Sequence, residues 1–402
     1  MGDAGGAAGH RPRVLLISPG FPPARGGIER TAGELAGELP DCEVEVVAGR
    51  PPHDAAAGMR SPVGVRVHWA ANEPQYGRRS TFALARVAIS VGLLFRPHVV
   101  LALHIRAMPP ARLLRRLTGA RSMLVIHAKE VPEQRNLARA AMRWADATVA
   151  VSAFSRDLAL GGGAQPDRVH IIHPGVTLPA TLPTAPTDRP GPPTIVTVAR
   201  MDDRHKGHHL ALQAMSRLRS LVPDARWVMV GDGALRSWLE QEAHKLRLGD
   251  SVQFTGAVSD TELQRHLSEA HVFCLLSQEP PPGAAGEGFG IVLIEAGANG
   301  LPVVAGDVPG VRDAVLAEKT GLLVAPTDAA AVGSALAQLL TDRSLAKRLG
   351  EGGMARAREL TWPRVAGRYR ELLERVVVGP RRDQASDDLS WIGDLRRGPR
   401  PA

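Results

Sequence analysis

RVLLIS at residues 13–18 is the first apolar run of the chain, and it ends in Pro19-Gly20 before an amphipathic pattern at about residues 28–39. An apolar run bounded by turn residues and followed by a 3.6-residue period predicts a buried strand, a loop and a helix. The unit recurs, with further strands predicted at 43–48, 63–69, 99–103, 122–127, 147–152 and 169–173. Strands that alternate with helices indicate α/β architecture with a parallel, doubly wound sheet.

A proline-rich segment separates two such series of units. Residues 179–193 contain six prolines, which extend neither a helix nor a central strand, so the segment is interpreted as an interdomain linker. Strands and helices then alternate again, at 194–199, 208–221, 227–231, 235–245, 252–255, 272–276, 291–299, 302–305 and 321–324. Helical segments at 329–349 and 352–378 are expected to close the second domain. The predicted organisation is a first Rossmann-like domain at 11–178, a linker at 179–193, a second Rossmann-like domain at 194–378 and a flexible tail at 379–402.

The composition is that of a soluble globular protein with two cores, at 402 residues, 44% hydrophobic and 22% charged. No apolar run reaches the roughly 18 to 20 residues that span a bilayer, and the first ten residues lack a signal-peptide pattern. We therefore expect a cytoplasmic protein, with peripheral contact at the inner membrane face as an open alternative. Cys42 and Cys274 lie far apart in strand-like surroundings, which favours buried free thiols.

Positive charge is concentrated in the first domain. No acidic residue occurs between Pro74 and Lys129, whereas nine arginines do. Such a surface can bind anionic lipid or an anionic acceptor, or it can simply be a solvated face, and both interpretations stay open. Aromatic residues are sparse and no recognition module is present, so the sequence predicts no nucleic-acid partner.

The strongest chemical signal is Glu287-Gly288-Phe289-Gly290-Ile291-Val292-Leu293-Ile294-Glu295-Ala296. It places two carboxylates around a glycine turn and an apolar helix start. A helix N-terminus offers unpaired N–H groups and a partial positive charge, so the turn can hold phosphate or sugar oxygens while the carboxylates accept hydrogen bonds from hydroxyls. The structural alternative is a helix cap plus a surface acid. The pattern favours sugar-nucleotide binding.

Two cations follow the predicted strand at 194–199. Arg200 and Lys206 suit a diphosphate whose negative charge grows as it leaves, and Lys206 stands out because the chain uses arginine far more often than lysine. No Asp-x-Asp occurs, so metal-bridged diphosphate binding lacks its usual signature and no metal is predicted. Neighbouring histidines lack an acid or cysteine at metal-ligand spacing (His205, His208 and His209).

The first domain offers weaker candidates. Pro23-Ala24-Arg25-Gly26-Gly27 joins its first strand to its first helix, and the glycine pair Gly26-Gly27 permits close backbone approach or is only a turn. His127 ends a predicted strand at the cleft rim, where a structural role and a substrate contact both fit. Lys129-Glu130 can pair with neighbours, and Ser152 is expected to cap a helix.

In this order, the motifs resemble glycosyltransferase family 4, the retaining transferases with the GT-B fold, over roughly residues 12–378. The motifs that carry the resemblance are Pro23-Ala24-Arg25-Gly26-Gly27, His127, Arg200 with Lys206, Val230-Gly231-Asp232-Gly233, Phe254-Thr255-Gly256-Ala257-Val258, and Glu287-x7-Glu295 followed by Gly300-Leu301-Pro302-Val303-Val304. The resemblance implies two Rossmann-like domains that face each other across a cleft. It also implies metal-independent, retaining transfer of a hexosyl or N-acetylhexosaminyl group from a nucleotide-diphosphate sugar to an acceptor hydroxyl, without a cofactor.

The family implies roles around the leaving group. Arg200 and Lys206 would grip the donor diphosphate, and the loop of Gly26 and Gly27 would approach it from the opposite domain. The leaving phosphate would help to deprotonate the acceptor on the same face of the sugar. His127 would lie beside the sugar, near its anomeric carbon or its 6-position.

The family also implies contacts to the sugar and the nucleoside. Glu287 would hold the transferred sugar's hydroxyls together with three backbone amides (Phe289, Gly290 and Ile291). Glu295 would accept hydrogen bonds from the ribose diol, and the loop near Val258 would contact the base. Lys129-Glu130 stands where many relatives have a glycine-containing continuation, which leaves the acceptor contacts open.

Two groups within the family fit the long loop at 277–286 that precedes Glu287. The segment is similar to bacterial phosphatidylinositol-mannoside mannosyltransferases, which implies GDP-mannose and a membrane glycolipid acceptor. It is also similar to actinobacterial natural-product glycosyltransferases, which implies another nucleotide sugar and a small acceptor such as an aminocyclitol. A sugar-nucleotide-binding protein without turnover is the alternative of another class. An NAD-dependent oxidoreductase is disfavoured, because Gly231-Asp232-Gly233 is an incomplete dinucleotide motif.

Overall fold

A computed structural model describes residues 11–24, 26–39, 41–50, 64–70, 78–279 and 286–379. Within these residues the chain forms two parallel, open sheets flanked by helices, as the alternating pattern predicts. Arg25, residue 63, most of the long loop at 277–286 and almost all of the tail at 379–402 lie outside the described residues. No helix in the described part of the chain is long and apolar enough to cross a lipid bilayer.

The first sheet contains seven strands among the described residues. They are β1 (Arg13–Ser18), β2 (Glu43–Gly49), β3 (Arg66–Ala70), β4 (Val99–Ala102), β5 (Arg121–Ile126), β6 (Ala147–Ala150) and β7 (Val169–Ile171). All pair in parallel in the order β3-β2-β1-β4-β5-β6-β7. The helices between them are α1 (Gly27–Gly37), α2 (Arg78–Phe95), α3 (Met108–Thr118), α4 (Glu130–Glu133), α5 (Arg135–Trp144) and α6 (Ala153–Gly161).

The continuous apolar run of β1 follows from its position in the middle of this sheet. Val14 and Leu16 pack into one hydrophobic cluster, and Leu15 and Ile17 pack into another on the opposite face. All four side chains are fully buried. A central parallel strand covered by helices on both faces needs apolar residues at successive positions, and RVLLIS supplies them.

The second sheet contains six strands among the described residues. They are β8 (Thr194–Val198), β9 (Arg226–Val230), β10 (Val252–Gly256), β11 (Val272–Leu275), β12 (Val303–Gly306) and β13 (Gly321–Val324), all parallel, in the order β10-β9-β8-β11-β12-β13. Its helices are α7 (His208–Leu218), α8 (Arg236–Lys245), α9 (Asp260–Glu269), α10 (Ile291–Ala298), α11 (Ala329–Thr341) and α12 (Arg343–Glu359). Strand order reverses beside β1 in the first sheet and beside β8 in the second, and ligands of open α/β sheets bind at such switch points.

A buried arginine fixes the proline-rich linker onto the second sheet's helices. Arg189 donates to the carbonyl oxygens of Leu267, Ala270 and Asn299, the last at 2.7 Å. Burial lowers the pKa of Arg189 to about 10, so the guanidinium stays charged at neutral pH. The three carbonyl oxygens lie at or near the C-terminal ends of α9 and α10, where a cation is favourable.

The C-terminal helices differ from the prediction in their bounds and in their packing, with breaks at Asp342 and at residues 360–361. No break occurs between residues 349 and 352, because α12 begins after Asp342, which caps it, and continues to Glu359. The last helix, α13 (Trp362–Val378), contacts β4, β5 and α1 of the first domain, and Arg370 Nη1 lies 2.6 Å from Asp41 Oδ2. The expectation that 352–378 closes the second domain is therefore wrong for α13, whose apolar face packs in the cluster that contains Val14 and Leu16.

Glycines in α12 serve close packing rather than helix termination. A Cβ on Gly350 would lie 2.2 Å from the carbonyl oxygen of Gly300, and one on Gly353 would lie 3.0 Å from the Cα of Gly297 in α10. The predicted break at residues 350 and 351 falls on Gly350, because a local pattern does not show which backbone will lie against a helix.

We predict that Gly350→Ala lowers the free energy of unfolding by about 1 to 3 kcal/mol, because the added methyl group forces backbone apart. Gly367→Ala on α13 is the matched control, since a Cβ there meets nothing within 4 Å. The control should be neutral or stabilising by up to ~1 kcal/mol. Urea titrations followed by circular dichroism would measure both, and equal effects would contradict the packing argument.

Candidate functional site

The turn after β8 fixes the position of Lys206. Residues Arg204–Lys206 form a single 3-10 turn, capped by Asp203, whose Oδ1 accepts from the N–H of His205 at 2.9 Å. Gly207 follows with φ +73°, and a Cβ there would lie 2.0 Å from the carbonyl oxygen of Leu276. Only glycine fits this left-handed position against a neighbouring backbone, so Lys206 is held at the start of α7.

Lys206 and Glu287 form an ion pair at the carboxyl end of the second sheet. Lys206 Nζ lies 2.5 Å from Glu287 Oε2, and Ser277 Oγ donates to the same oxygen at 3.0 Å. The Glu287 side chain is 11% exposed. Burial raises the pKa of Glu287, but the Lys206 ammonium and the two hydrogen bonds outweigh burial, so its pKa lies below the ordinary value. Glu287 is therefore ionised. Its oxygen Oε2 accepts both hydrogen bonds, and Oε1 takes part in neither of them.

The segment after Glu287 leads directly into a helix. Gly290 has φ +83° and immediately precedes α10, whose first-turn amides have no acceptor within the helix. The ring of Phe289 is buried and stacks on His173 of the first domain, with centroids 5.2 Å apart and an interplanar angle of 21°. The predicted turn and helix start are confirmed, and the turn is anchored across the domain boundary.

The glycine pair of the first domain approaches this same helix start. A Cβ on Gly27 would lie 3.4 Å from Ile291 Cδ1. The buried carboxyl group of Glu29 fills the loop, because a Cβ on Gly20 or Gly26 would lie 2.3 or 2.1 Å from its oxygens. Burial raises the pKa of Glu29, although a hydrogen bond to its own backbone and the charge of Arg200 oppose the shift. The loop is thus shaped around a carboxyl group that the sequence pattern did not single out.

His127 lies at the end of β5 and meets the second domain through its backbone. A Cβ on Gly288 would lie 1.9 Å from the His127 carbonyl oxygen. The two backbone segments therefore come closer together than a residue with a side chain at position 288 would allow. The ring Nε2 is 3.0 Å from the Leu103 carbonyl oxygen and must carry the proton in that bond. Burial lowers the pKa of His127, against the opposing effects of Glu130 and the Leu103 carbonyl. The ring is therefore neutral at neutral pH, with Nδ1 as an acceptor.

Three predicted site residues do not join the Lys206–Glu287 pair. Arg200 follows β8, but its side chain is 78% exposed and pairs with Asp202 at 3.2 Å. Glu295 lies in α10, where its carboxylate forms an ion pair with Arg30 of α1. Val258 is half-buried in the loop between β10 and α9.

Three smaller expectations are confirmed, namely those for Lys129 with Glu130, for Ser152 and for the two cysteines. Lys129 lies 4.0 Å from Asp203 across the cleft, and Glu130 Oε1 accepts from the His127 N–H at 2.7 Å. Ser152 caps α6 in a capping box with Ser155. The free cysteines are buried (Cys42 and Cys274). Among the described residues, no group of three His, Cys, Asp or Glu side chains is placed to hold a metal ion.

Besides Glu29, four residues that shape the site were not predicted from the sequence. Ser277 stands just after β11, and a strand-end position could have indicated it. Gly288 could have been suspected from the glycine-rich turn. Arg30 and His173 contact the site only across the domain boundary, for which one domain's pattern carries no signal.

Comparisons with known proteins agree with this arrangement. The family described as "Glycosyl transferase 4-like domain" matches residues 26–175, and the family described as "Glycosyl transferases group 1" matches residues 183–356. The chain is 31% identical over 364 residues to the GDP-mannose-dependent alpha-(1-6)-phosphatidylinositol monomannoside mannosyltransferase of Mycobacterium tuberculosis. That alignment covers 85% of this chain and 92% of the relative.

Solved structures show the same fold. Sucrose-phosphate synthase from Thermosynechococcus elongatus superimposes with a TM-score of 0.79 at 22% identity, covering 91% of this chain and 99% of that one. HepE of Anabaena, in complex with UDP and glucose, gives a TM-score of 0.71 at 17% identity, with 90% and 99% covered. The expected GT-B arrangement of two parallel-sheet domains is confirmed.

We predict that Glu287→Gln lowers the free energy of unfolding at pH 7 by about 2 kcal/mol, because Lys206 loses a charged, hydrogen-bonded partner. The folded pKa of Glu287 lies below its ordinary value of 4.5. Its stabilisation is thus fully present above that pH and is lost as the pH falls through the folded pKa. The difference in the free energy of unfolding between wild type and variant, measured by urea titration, should therefore become smaller from pH 7 to about pH 3.

Glu242→Gln is the matched control, because Glu242 pairs with Lys245 at 2.7 Å on the surface of α8. An exposed pair contributes little at either pH. If Glu287→Gln lowered the free energy of unfolding more at low pH than at pH 7, the assignment of a lowered pKa to Glu287 would be wrong.

Proposed function

Because the chain belongs to glycosyltransferase family 4, we propose that it transfers a hexosyl or N-acetylhexosaminyl group, with retention, from a nucleotide-diphosphate sugar to an acceptor hydroxyl. The observation that carries this proposal is the Lys206–Glu287 pair at the carboxyl end of the second sheet. It combines a cation for a leaving diphosphate with a carboxylate for sugar hydroxyls. The first domain faces it through Gly27 and His127.

The proposed donor lies along the carboxyl ends of β8, β10 and β11. The ammonium of Lys206 has three N–H donors, of which Glu287 Oε2 takes one, so the others are directed to diphosphate oxygens. Arg200 supplies a second cation, and its exposure leaves it able to move onto the diphosphate. Glu287 Oε1 and the first amides of α10 hold the sugar hydroxyls. Glu295 and the loop at Val258 receive the ribose and the base.

The proposed reaction is a displacement on one face of the sugar. The acceptor oxygen bonds to the anomeric carbon as the bond from that carbon to the diphosphate oxygen breaks. The departing phosphate oxygen takes the acceptor's proton, so the products are an α-glycoside and a nucleoside diphosphate. Lys206 and Arg200 stabilise the charge that grows on the leaving group, the role that a metal ion otherwise takes. We therefore propose that no metal or other cofactor is needed.

His127 fits a role beside the sugar rather than as an acid. Its ring is held by Leu103 through Nε2, and burial keeps it neutral. A neutral ring with Nδ1 as an acceptor suits a hydroxyl of the transferred sugar. It also adds no positive charge beside the anomeric carbon, where positive charge develops in the transition state.

Two acceptor classes were left open by the sequence, a small cyclitol-like molecule and a membrane glycolipid, and one surface of the structure favours the glycolipid. It is supported by the mannosyltransferase relative and by a surface of α2 and α3, here named the α2–α3 surface. Phe82 and Leu94 on α2 are 61% and 88% exposed, and Leu117 on α3 is 56% exposed. Exposed Arg79 and Arg86 lie on the same stripe of α2 as Phe82. Apolar side chains flanked by cations suit an anionic membrane surface, and we propose a cytoplasmic enzyme that contacts the membrane there.

We predict that Lys206→Ala and Glu287→Ala each lower kcat/KM for transfer by about 100-fold or more, the usual loss when a preorganised charge at the leaving group or sugar is removed. A thermal-shift panel of UDP-, GDP-, ADP- and dTDP-sugars selects the donor. Transfer is then measured with cyclitol and phosphatidylinositol acceptors, and the product anomer is read by NMR.

The matched controls are Lys245→Ala and Glu242→Ala, which remove a surface pair of the same type and should leave kcat/KM within about twofold. Unchanged turnover in the Lys206 and Glu287 variants, or a β-linked product, would contradict the proposed site. Donor binding without transfer or hydrolysis would favour the non-catalytic alternative.

For the α2–α3 surface we predict salt-sensitive co-sedimentation with phosphatidylglycerol-containing vesicles. Arg79→Glu combined with Arg86→Glu should lower the bound fraction at least about fivefold, because each basic residue contributes about 1 kcal/mol near an anionic surface. Arg217→Glu with Arg226→Glu is the control, since these exposed arginines belong to the second domain. Equal binding to neutral vesicles would contradict an electrostatic membrane contact.

A further inference from the structure

Two helices from opposite domains meet through their N-terminal ends. α1 begins at Gly27, and a Cβ there would lie 3.4 Å from Ile291 Cδ1 at the first residue of α10. One turn further along each helix, Arg30 of α1 forms an ion pair with Glu295 of α10. Residues three or four apart lie on the same face of a helix. Each helix therefore uses one face for this contact, and the ion pair is part of it.

The Arg30–Glu295 pair lies at the surface of the cleft rather than in a core. The Arg30 side chain is 28% exposed, and the Glu295 side chain is 12% exposed. Burial lowers the pKa of Arg30, against the charge of Glu34, and an arginine keeps its charge at neutral pH. Partly buried charges are screened less by salt than charges on the open surface. The carboxylate of Glu295 is thus held by a cation that the other domain supplies.

The same carboxylate is the group proposed for the ribose of the donor. A ribose diol donates two O–H groups, and the two oxygens of one carboxylate match them. Arg30 Nη1 contacts Oε1 of Glu295, so a diol that uses both oxygens meets the guanidinium at one of them. A displaced guanidinium has another carboxylate nearby, because Glu34 lies one turn further along α1 and its charge acts on Arg30.

We propose that Arg30 competes with the donor ribose for Glu295, so that the bound nucleotide replaces a contact between the domains. This inference rests on the proposed function, and it adds a first-domain residue that sets how tightly the nucleoside is held. A ligand that requires one of two conformations binds more weakly when the protein favours the other. The ion pair therefore lowers donor affinity, and the donor weakens the ion pair by the same factor. The return of Arg30 to Glu295 also favours release of the nucleoside diphosphate product.

The test compares ligands with and without a ribose. Calorimetric titrations of the full chain measure the Kd of UDP, GDP and inorganic pyrophosphate for wild type, Arg30→Ala and Arg30→Met, with the fold of each variant checked by circular dichroism. Both variants should bind the nucleoside diphosphate that wild type binds about fivefold more tightly, because the ligand no longer has to break the ion pair. Pyrophosphate lacks the diol and should bind all three proteins within about twofold.

A second comparison locates the effect at Glu295. When Glu295 is already replaced by alanine, adding Arg30→Ala should not tighten nucleoside diphosphate binding any further, because the two changes act on one contact. This double variant should bind at least about fivefold more weakly than Arg30→Ala alone, since the diol has lost its acceptor.

Arg370→Ala is the matched control. Arg370 of α13 pairs at 2.6 Å with Asp41, which lies just before β2 and so at the opposite edge of the first sheet from the cleft. Its removal also breaks a contact between an arginine and an acid of the first domain. It should leave every Kd within about twofold.

Unchanged or weaker nucleoside diphosphate binding in both Arg30 variants would make Arg30 a structural residue or a donor contact, and would overturn the inference. So would pyrophosphate binding that tightens as much as that of the nucleoside diphosphate, because the effect would then not involve the ribose. If wild type binds no member of the donor panel, the proposed function itself is wrong, and the inference fails with it.

Discussion

The Lys206–Glu287 ion pair is the interaction around which the rest of the cleft is arranged. Removing two charges from water is costly, and a mostly buried pair is weak evidence for stability by itself. Here the cost is offset by a 2.5 Å contact and a second hydrogen bond from Ser277. The pair joins the strand-end segments that follow β8 and β11, so a cation and a carboxylate are fixed side by side before any ligand arrives. Preorganised charge of this kind is what stabilisation of a leaving group requires.

Close backbone approach is the second constraint, and glycine meets it at each contact. Gly207 allows the Lys206 turn to lie against Leu276, and Gly288 allows the donor-side segment to reach the carbonyl group of His127. A Cβ at Gly207 or Gly288 would lie 2.0 or 1.9 Å from a carbonyl oxygen, so a side chain at either place would force the two segments apart. Of these two contacts, the one at Gly288 joins the two domains, and it brings the segment after Glu287 against the end of β5.

Contacts across the cleft link the segment from Glu287 to Glu295 to the first domain. Phe289 stacks on His173, and Arg30 holds the carboxylate of Glu295. If the donor ribose binds Glu295 as proposed, it has to share or displace Arg30, which would couple donor binding to the contact between the domains. The return of α13 to β4 and β5 adds a covalent connection besides the proline-rich linker. Two chain crossings restrict how the domains can separate.

The sequence by itself determined the two parallel-sheet domains, the positions of His127, Arg200 and Lys206 after strand ends, and the position of Glu287 in the turn before α10. These follow from local periodicity and turn chemistry, which act over a few residues and are visible in the letters. The partners of these residues were decided only by the tertiary structure. Lys206 pairs with Glu287, Glu295 pairs with Arg30, α12 packs its glycines against Gly300 and the backbone of α10, and α13 packs on the other domain. Each outcome depends on which distant backbone or charge comes within contact range, and a one-dimensional pattern carries no distance between segments far apart in the chain.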